Sequence, residues 1–201
     1  MTNGSTVHAN GKRILFVMAT RAEYLAELAR RFDPFVCGVG PVEAAAATAL
    51  RLARGDVDLV VSLGSAGSAR LSQGHTAQVS HVSYRDMDAT ALGFEAGRTP
   101  FLDLPAVVEL PHRVPGIETA TLSTGAAVVS GAGYGRIDAD MVDMETWAVM
   151  RACQLTDTEL IALRAVSDGA EPLGGYRDWA DHLPEVDARL AEAVDAVLAW
   201  I

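Results

Sequence analysis

Three carboxylates stand where carboxylates are costly. Glu145 lies in the stretch 141–150, apolar around most of a helical circumference. A carboxylate there must be paired, or must face a cavity whose ligand brings donors. Asp168 directly follows the apolar run 160–166, inside Ser167-Asp168-Gly169. A turn or a helix cap accounts for such an aspartate, but open α/β sheets also bind ligands beyond the carboxyl ends of their strands, where Asp168 falls. Glu23 follows the first apolar run closely and fits an ordinary first-turn glutamate favoured by a helix dipole. Two carboxylates in separate environments can divide acid and base work. Carboxylates crowded into one site raise each other's proton affinity, which keeps one protonated near neutrality. For each of the three, a structural role and a catalytic one both remain open on these grounds.

The elements that must position these groups alternate in type. The run 12–19 is continuously apolar after its opening charges, the pattern of a strand buried on both faces. Residues 23–32 have helical spacing, with Leu25, Leu28 and Ala29 on one side. A short strand is expected over 35–39, ending at Gly40. Pro41 then opens an Ala-rich helix through Arg54, at a first position where its missing N–H costs nothing. The strand 59–63 runs into Gly64-Ser65-Ala66-Gly67, small residues that permit close backbone approach. Further strands are expected at 78–84, 119–122, 128–130 and 160–166, with helices at 141–154, capped by Asp140, and at 183–201. The stretch 86–112 has little periodicity, and so long an irregular segment in a compact domain is usually functional or an interface. The pattern predicts a single α/β domain over 12–201, a three-layer α/β/α arrangement around a mixed, largely parallel sheet, after a flexible tail at 1–11.

Composition narrows the partners. The 201 residues carry a formal charge of −10, and an acidic surface repels phosphodiester backbones, which argues against nucleic acid. With 50% hydrophobic and 21% charged residues the chain is not disordered. No apolar run approaches the roughly 20 residues of a membrane helix, and the start of the chain lacks the pattern of a secretory signal. Cys37 and Cys153 both sit in apolar stretches and read as buried thiols of a reducing compartment. A cytoplasmic location is expected.

Several motifs occur in a fixed order: Gly40-Pro41-Val42-Glu43-Ala44-Ala45, Gly64-Ser65-Ala66-Gly67, the segment from Tyr84 to Glu95, Met144-Glu145, and Arg164-Ala165-Val166-Ser167-Asp168. Together they resemble the nucleoside phosphorylase superfamily, and within it most closely the 5′-methylthioadenosine/S-adenosylhomocysteine nucleosidase branch. The resemblance runs over about residues 12–171. It implies cleavage of the bond between ribose and base. Asp168 would then help protonate the purine at N7, and Glu23 would position and deprotonate the attacking water. Glu145 would hold the ribose hydroxyls with Met144 against the sugar. Tyr134 falls where the family stacks an aromatic ring on the base. Ser65 would lie near the water, and Arg164 and Ser167 would support Asp168.

The chemistry is consistent with those roles. A nearby carboxylate stabilises an oxocarbenium-like sugar. A departing purine needs a proton, and water needs a base. Neither a metal nor an organic cofactor is required, and the expected partners are a purine nucleoside and water. Phosphorolysis would need an anion pocket, usually built with Arg. Where the phosphorylase branch typically places that Arg, this chain has Ser62, leaving Arg21 and Arg85 as substitutes. Asp168 as the acid suits adenine-type purines. The 5′ group stays open between methylthio, homocysteinyl, plain deoxy and the carboxyphenyl-bearing group of futalosine. A phosphorylase and a non-catalytic nucleoside-binding protein are the alternatives. The apolar residues of 86–112, among them Leu92, Phe94 and Phe101, point to a homodimer.

Overall fold

The computed structural model describes residues 4–169 and 171–201. At its amino end β1 (Val7–Ala9) folds back antiparallel on β2 (Lys12–Met18), pairing Val7 with Ile14. The turn is Asn10-Gly11, both at positive φ (45° and 82°). Asn-Gly suits a two-residue type I′ turn, whose twist matches that of the paired strands. An edge strand therefore replaces the flexible tail expected over 1–11 at residues 7–9, while 1–3 lie outside the described residues.

The remaining elements, in chain order, are α1 (Ala26–Ala29), β3 (Phe35–Val36), α2 (Pro41–Leu52), β4 (Leu59–Gly67), β5 (Thr76–Tyr84), β6 (Val107–Glu109), β7 (Thr119–Thr124), β8 (Met141–Asp143), α3 (Thr146–Leu155), β9 (Glu159–Asp168), α4 (Tyr176–Ala180) and α5 (Leu183–Trp200). Strand β4 lies between β2 and β9, parallel to both. Strand β9 passes antiparallel to β5 over Thr76–Gln78, β5 runs parallel to β7, and β7 parallel to β8. Strand β8 meets β4 at one pair, Val142 with Gly67. Mixed pairing around mainly parallel central strands agrees with the expected sheet.

Alternation along the central strands builds two apolar layers. Ile14, Phe16, Val61 and Leu163 join Leu28 of α1 and Leu190 of α5 on one face. Leu15, Val60 and Ala162 join Ala44 of α2 and Val149 of α3 on the other. These are the three layers read from the sequence. Cys37 and Cys153 are free and buried. No helix among the described residues is long and apolar enough to cross a membrane.

Two expected helices are wrong in ways that bear on the site. Residues 23–32 do not form one helix. A 3-10 turn, Arg21–Glu23, ends at an extended Tyr24, and α1 has only four residues. The break is held from α5: buried Asp187 accepts the N–H groups of Leu25 and Glu27, each at 2.8 Å. Residues 141–154 likewise divide, because 141–143 pair with β7 as a strand and the helix starts only at Thr146. A short apolar run is ambiguous between strand and helix, and here β7 was available to pair with it. Asp140 caps no helix; its carboxylate holds the backbone N–H and hydroxyl of Thr121 instead. Residues 128–130 form no strand, and 86–112 contains only a 3-10 turn, Thr90–Leu92, and β6.

Candidate active site

A cavity of about 670 Å³ opens where β2, β4 and β9 end, with further walls from 127–129, 142–145 and 173–176. Glu23, Ser65, Met144, Glu145, Arg164 and Asp168 all line it. Strand ends of a parallel sheet are the expected place for a ligand, because loops and helix termini converge there.

Glu23 is delivered by its 3-10 turn, which the Thr20 side chain caps. It is 4% exposed, and its Oε1 accepts the Ser65 N–H at 2.9 Å and the Ser65 hydroxyl at 2.5 Å. Burial raises the proton affinity of Glu23, opposed by the Ser65 bonds and the charge of Arg164. A carboxylate poised in this way is suited to take a proton from water.

Asp143 and Arg164 form a buried pair beside it. Asp143 Oδ2 accepts from Arg164 Nη2 at 3.0 Å and Nε at 3.1 Å, and from the Thr146 N–H at 2.9 Å. Its Oδ1 accepts from the Thr124 hydroxyl at 2.6 Å. One carboxylate thus starts α3 and holds the guanidinium. Removing either charge would strand the other, a loss of about 3–5 kcal/mol. This corrects the expectation that Arg164 supports Asp168. The guanidinium goes to Asp143, Thr146 and the Ser62 hydroxyl, because the buried cation needs a buried anion within reach.

Glu145 is the N-cap residue of α3, two residues beyond Asp143, and does not lie on a helical face. Its Oε1 accepts the Gly40 N–H at 2.8 Å, at the start of α2. It is not paired with Arg164, whose guanidinium goes to Asp143. Burial and the charge of Asp143 push the Glu145 carboxyl up to about 7. A carboxyl raised in the folded state stabilises the fold below its unfolded value near 4.5, and that contribution is lost as pH rises through about 7. Glu145→Gln carries no titration. The variant is therefore expected to gain on the unliganded wild type by up to about 3 kcal/mol between pH 4.5 and pH 8. Urea unfolding at the two pH values measures this, and a constant difference would refute it.

Asp168 closes β9. Its Oδ1 accepts the Ser167 hydroxyl at 2.7 Å, and the Tyr134 hydroxyl is 3.4 Å from Oδ2. A Cβ at Gly67 would collide with both the Tyr134 hydroxyl and the Asp168 carboxylate, so only glycine lets them close over β4. Tyr134 and Ser167 are not on the cavity wall; each meets the site through Asp168. Glu23 touches β4 at Ser65 and Asp168 approaches it at Gly67, so the two carboxylates meet the strand two residues apart, positions about 7 Å apart at strand rise.

The structure therefore gathers Glu23, Ser65, Met144, Glu145 and Asp168 around one cavity, with Ser167 and Tyr134 attached to Asp168. Sequence reasoning missed the role of Asp143. It also missed Trp179, whose indole N–H donates to Ser65 Oγ at 3.0 Å. An aromatic pair, Tyr176 and Trp179, following Gly174-Gly175 was the available signal.

Comparison with known proteins finds relatives of the same fold. The family model described as Phosphorylase superfamily matches residues 123–199. The 5′-methylthioadenosine/S-adenosylhomocysteine nucleosidase of Staphylococcus aureus (strain MRSA252) is 29% identical over 149 residues, 65% of each chain. The corresponding protein of Colwellia psychrerythraea is 32% identical over 158 residues, 65% of this chain and 64% of the relative. The matches thus span just under two thirds of these relatives. A crystal structure of the nucleosidase from Colwellia psychrerythraea 34H in complex with adenine superposes with a TM-score of 0.79 at 24% identity, covering 96% of this chain and 97% of that one. In motif order, in fold and in the family match over 123–199, the chain is similar to the phosphorylase superfamily.

Proposed function

We propose that the chain hydrolyses the N-glycosidic bond of an adenine-type, 5′-modified ribonucleoside such as 5′-methylthioadenosine or S-adenosylhomocysteine. The observation that carries this reading is the placing of Glu23 at Ser65 and of Asp168 at Gly67, two residues apart at the end of β4, with Glu145 on the same cavity. Asp168 donates a proton to purine N7. The bond from C1′ to the base breaks, with its electron pair leaving on the purine. Water attacks C1′ and gives its proton to Glu23, held in place by Ser65. The carboxylates offset the positive charge on the sugar. Met144 borders the sugar, Tyr134 and Ser167 orient the acid, and Arg164, fixed by Asp143, lends its charge to Glu23. The relatives named as nucleosidases support the substrate class.

Water is favoured over phosphate because the cations that could receive an anion are committed. Arg85 donates to the carbonyls of Ser123, Asp143 and Ala127 at 2.5, 3.0 and 2.6 Å. Arg21 pairs with Asp33 at 2.9 Å, and the Ser62 hydroxyl accepts from Arg164 at 3.2 Å. We also propose a homodimer in the cytoplasm. Phe101 is 97% exposed and packs on Phe94, an apolar surface that a second copy would cover. The direct test is adenine release from each nucleoside by the purified chain; no release from any of them would overturn the reading.

The sugar gives a sharper expectation. Glu145, already accepting from Gly40, has acceptor capacity left for ribose hydroxyls. Charge-assisted hydrogen bonds contribute about 1.5–3 kcal/mol. Ribonucleosides should therefore exceed their 2′-deoxy counterparts by about 10- to 100-fold in kcat/KM. Glu145→Gln should narrow that gap. Equal rates on both sugars, unchanged in the variant, would remove Glu145 from the sugar.

A further inference from the structure

The base is not held by Ser65 alone. Ser65 Oγ lies 2.5 Å from Glu23 Oε1 and 3.0 Å from Trp179 Nε1. An indole nitrogen is only a donor, whereas a hydroxyl has one hydrogen and two lone pairs. Trp179 therefore occupies a lone pair of Ser65, and its N–H leaves the Ser65 hydrogen no acceptor on that side. The hydroxyl hydrogen is directed to Glu23, where the Ser65 backbone N–H also points. The chain of bonds is one-way: Trp179 to Ser65, Ser65 to Glu23.

We propose that Trp179 is a positioning residue for the catalytic base, orienting the Ser65 hydroxyl so that it donates to Glu23 and keeps that carboxylate ionised and aimed into the cavity. The inference rests on the hydrolase reading for the role of Glu23, but the bond pattern itself does not. Trp179 belongs to α4 and lines the cavity together with 173–176, and Tyr176 packs edge-on against it at 5.4 Å between ring centres. The residue thus ties the segment that follows Asp168 to the base on the other side of the site. The groups facing Glu23 from the other elements are Arg164 on β9, Asp143 ending β8, Glu145 at the start of α3 and Cys37 after β3. None of them touches Ser65 Oγ, so a change at Trp179 reaches Glu23 through the hydroxyl.

The test removes the N–H and keeps the ring. Trp179→Phe does so with a smaller ring, and replacement of Trp179 by β-(3-benzothienyl)alanine does so with nearly unchanged shape, which guards against a packing defect. The first readout is the titration of Glu23 in the unliganded protein, followed by carboxyl-carbon NMR and assigned with Glu23→Gln. Both replacements should raise the proton affinity of Glu23 by about 3- to 10-fold, the scale of one hydrogen bond of about 1 kcal/mol. In a Ser65→Ala background the same replacements should add nothing, since the link is gone. The second readout is kinetic: kcat should fall about 3- to 10-fold below neutrality, with its acidic limb moved to higher pH and KM nearly unchanged. An unmoved Glu23 titration, or an equal shift with and without Ser65, overturns the proposal. A rise in KM alone would limit Trp179 to substrate contact at the wall it lines and also overturn the proposal. A chain inactive on every nucleoside would sink the hydrolase reading, while the NMR titration would still decide whether Trp179 governs Glu23.

Discussion

Asp168→Asn is expected to lower kcat by about 10²–10⁴-fold while the protein keeps its fold and much of its affinity for adenine. The amide has nearly the shape of the carboxyl, and its oxygen can accept the Ser167 hydroxyl that Asp168 Oδ1 accepts at 2.7 Å. What it lacks is a proton to give. General acid catalysis is typically worth that many powers of ten. The site around Asp168 is closely fitted, with Gly67 unable to bear a Cβ, so shape is conserved only by an isosteric change. Thermal unfolding and adenine binding of the variant, beside its turnover, separate loss of chemistry from loss of structure. More than half of the wild-type activity would show that another group supplies the proton.

The second large effect is at Glu23. Glu23→Gln should also lower kcat by about 10²–10⁴-fold, because the amide cannot take the proton of water. Its effect on stability should run the other way. Burial disfavours the ionised Glu23, whereas a neutral Gln still accepts from Ser65 through its amide oxygen. The variant should be at least as stable as the wild type near neutrality and bind nucleosides well. A stable, tightly binding, inactive protein is what a site built against its own stability gives up when its charge is removed. An equally inactive but unstable variant would instead mark Glu23 as a structural carboxylate.

Much of the frame was legible because it rests on short-range periodicity. Strands β2, β4 and β9 alternate their side chains between two apolar layers, and continuous apolar runs report that directly. Proline at the start of α2 marked its boundary to the residue. The hairpin at Asn10-Gly11 was missed: that dipeptide signals a tight turn, but its polar context reads as a flexible tail. What escaped depends on partners far away in the chain. The break after Glu23 is imposed by Asp187, 162 residues after Leu25. The change from strand to helix at Asp143 depends on β7 and on Arg164, 21 residues further on. Glu145 was singled out for a helical face that does not exist, yet it lines the cavity. The reason survived the error, since a carboxylate among apolar neighbours needs donors in either setting. The Trp179 bond to Ser65 spans 114 residues and has no local signature beyond an aromatic pair.

The central claim is that water, activated at Glu23, displaces a purine protonated by Asp168. It is tested most directly by identifying the sugar product from 5′-methylthioadenosine in saturating phosphate, by phosphorus NMR and mass spectrometry. The account predicts adenine and the free 5-methylthio sugar in equal amounts, formed at a rate that phosphate does not change and that both Asp168→Asn and Glu23→Gln abolish. A sugar 1-phosphate among the products, or a rate that rises with phosphate, would contradict it.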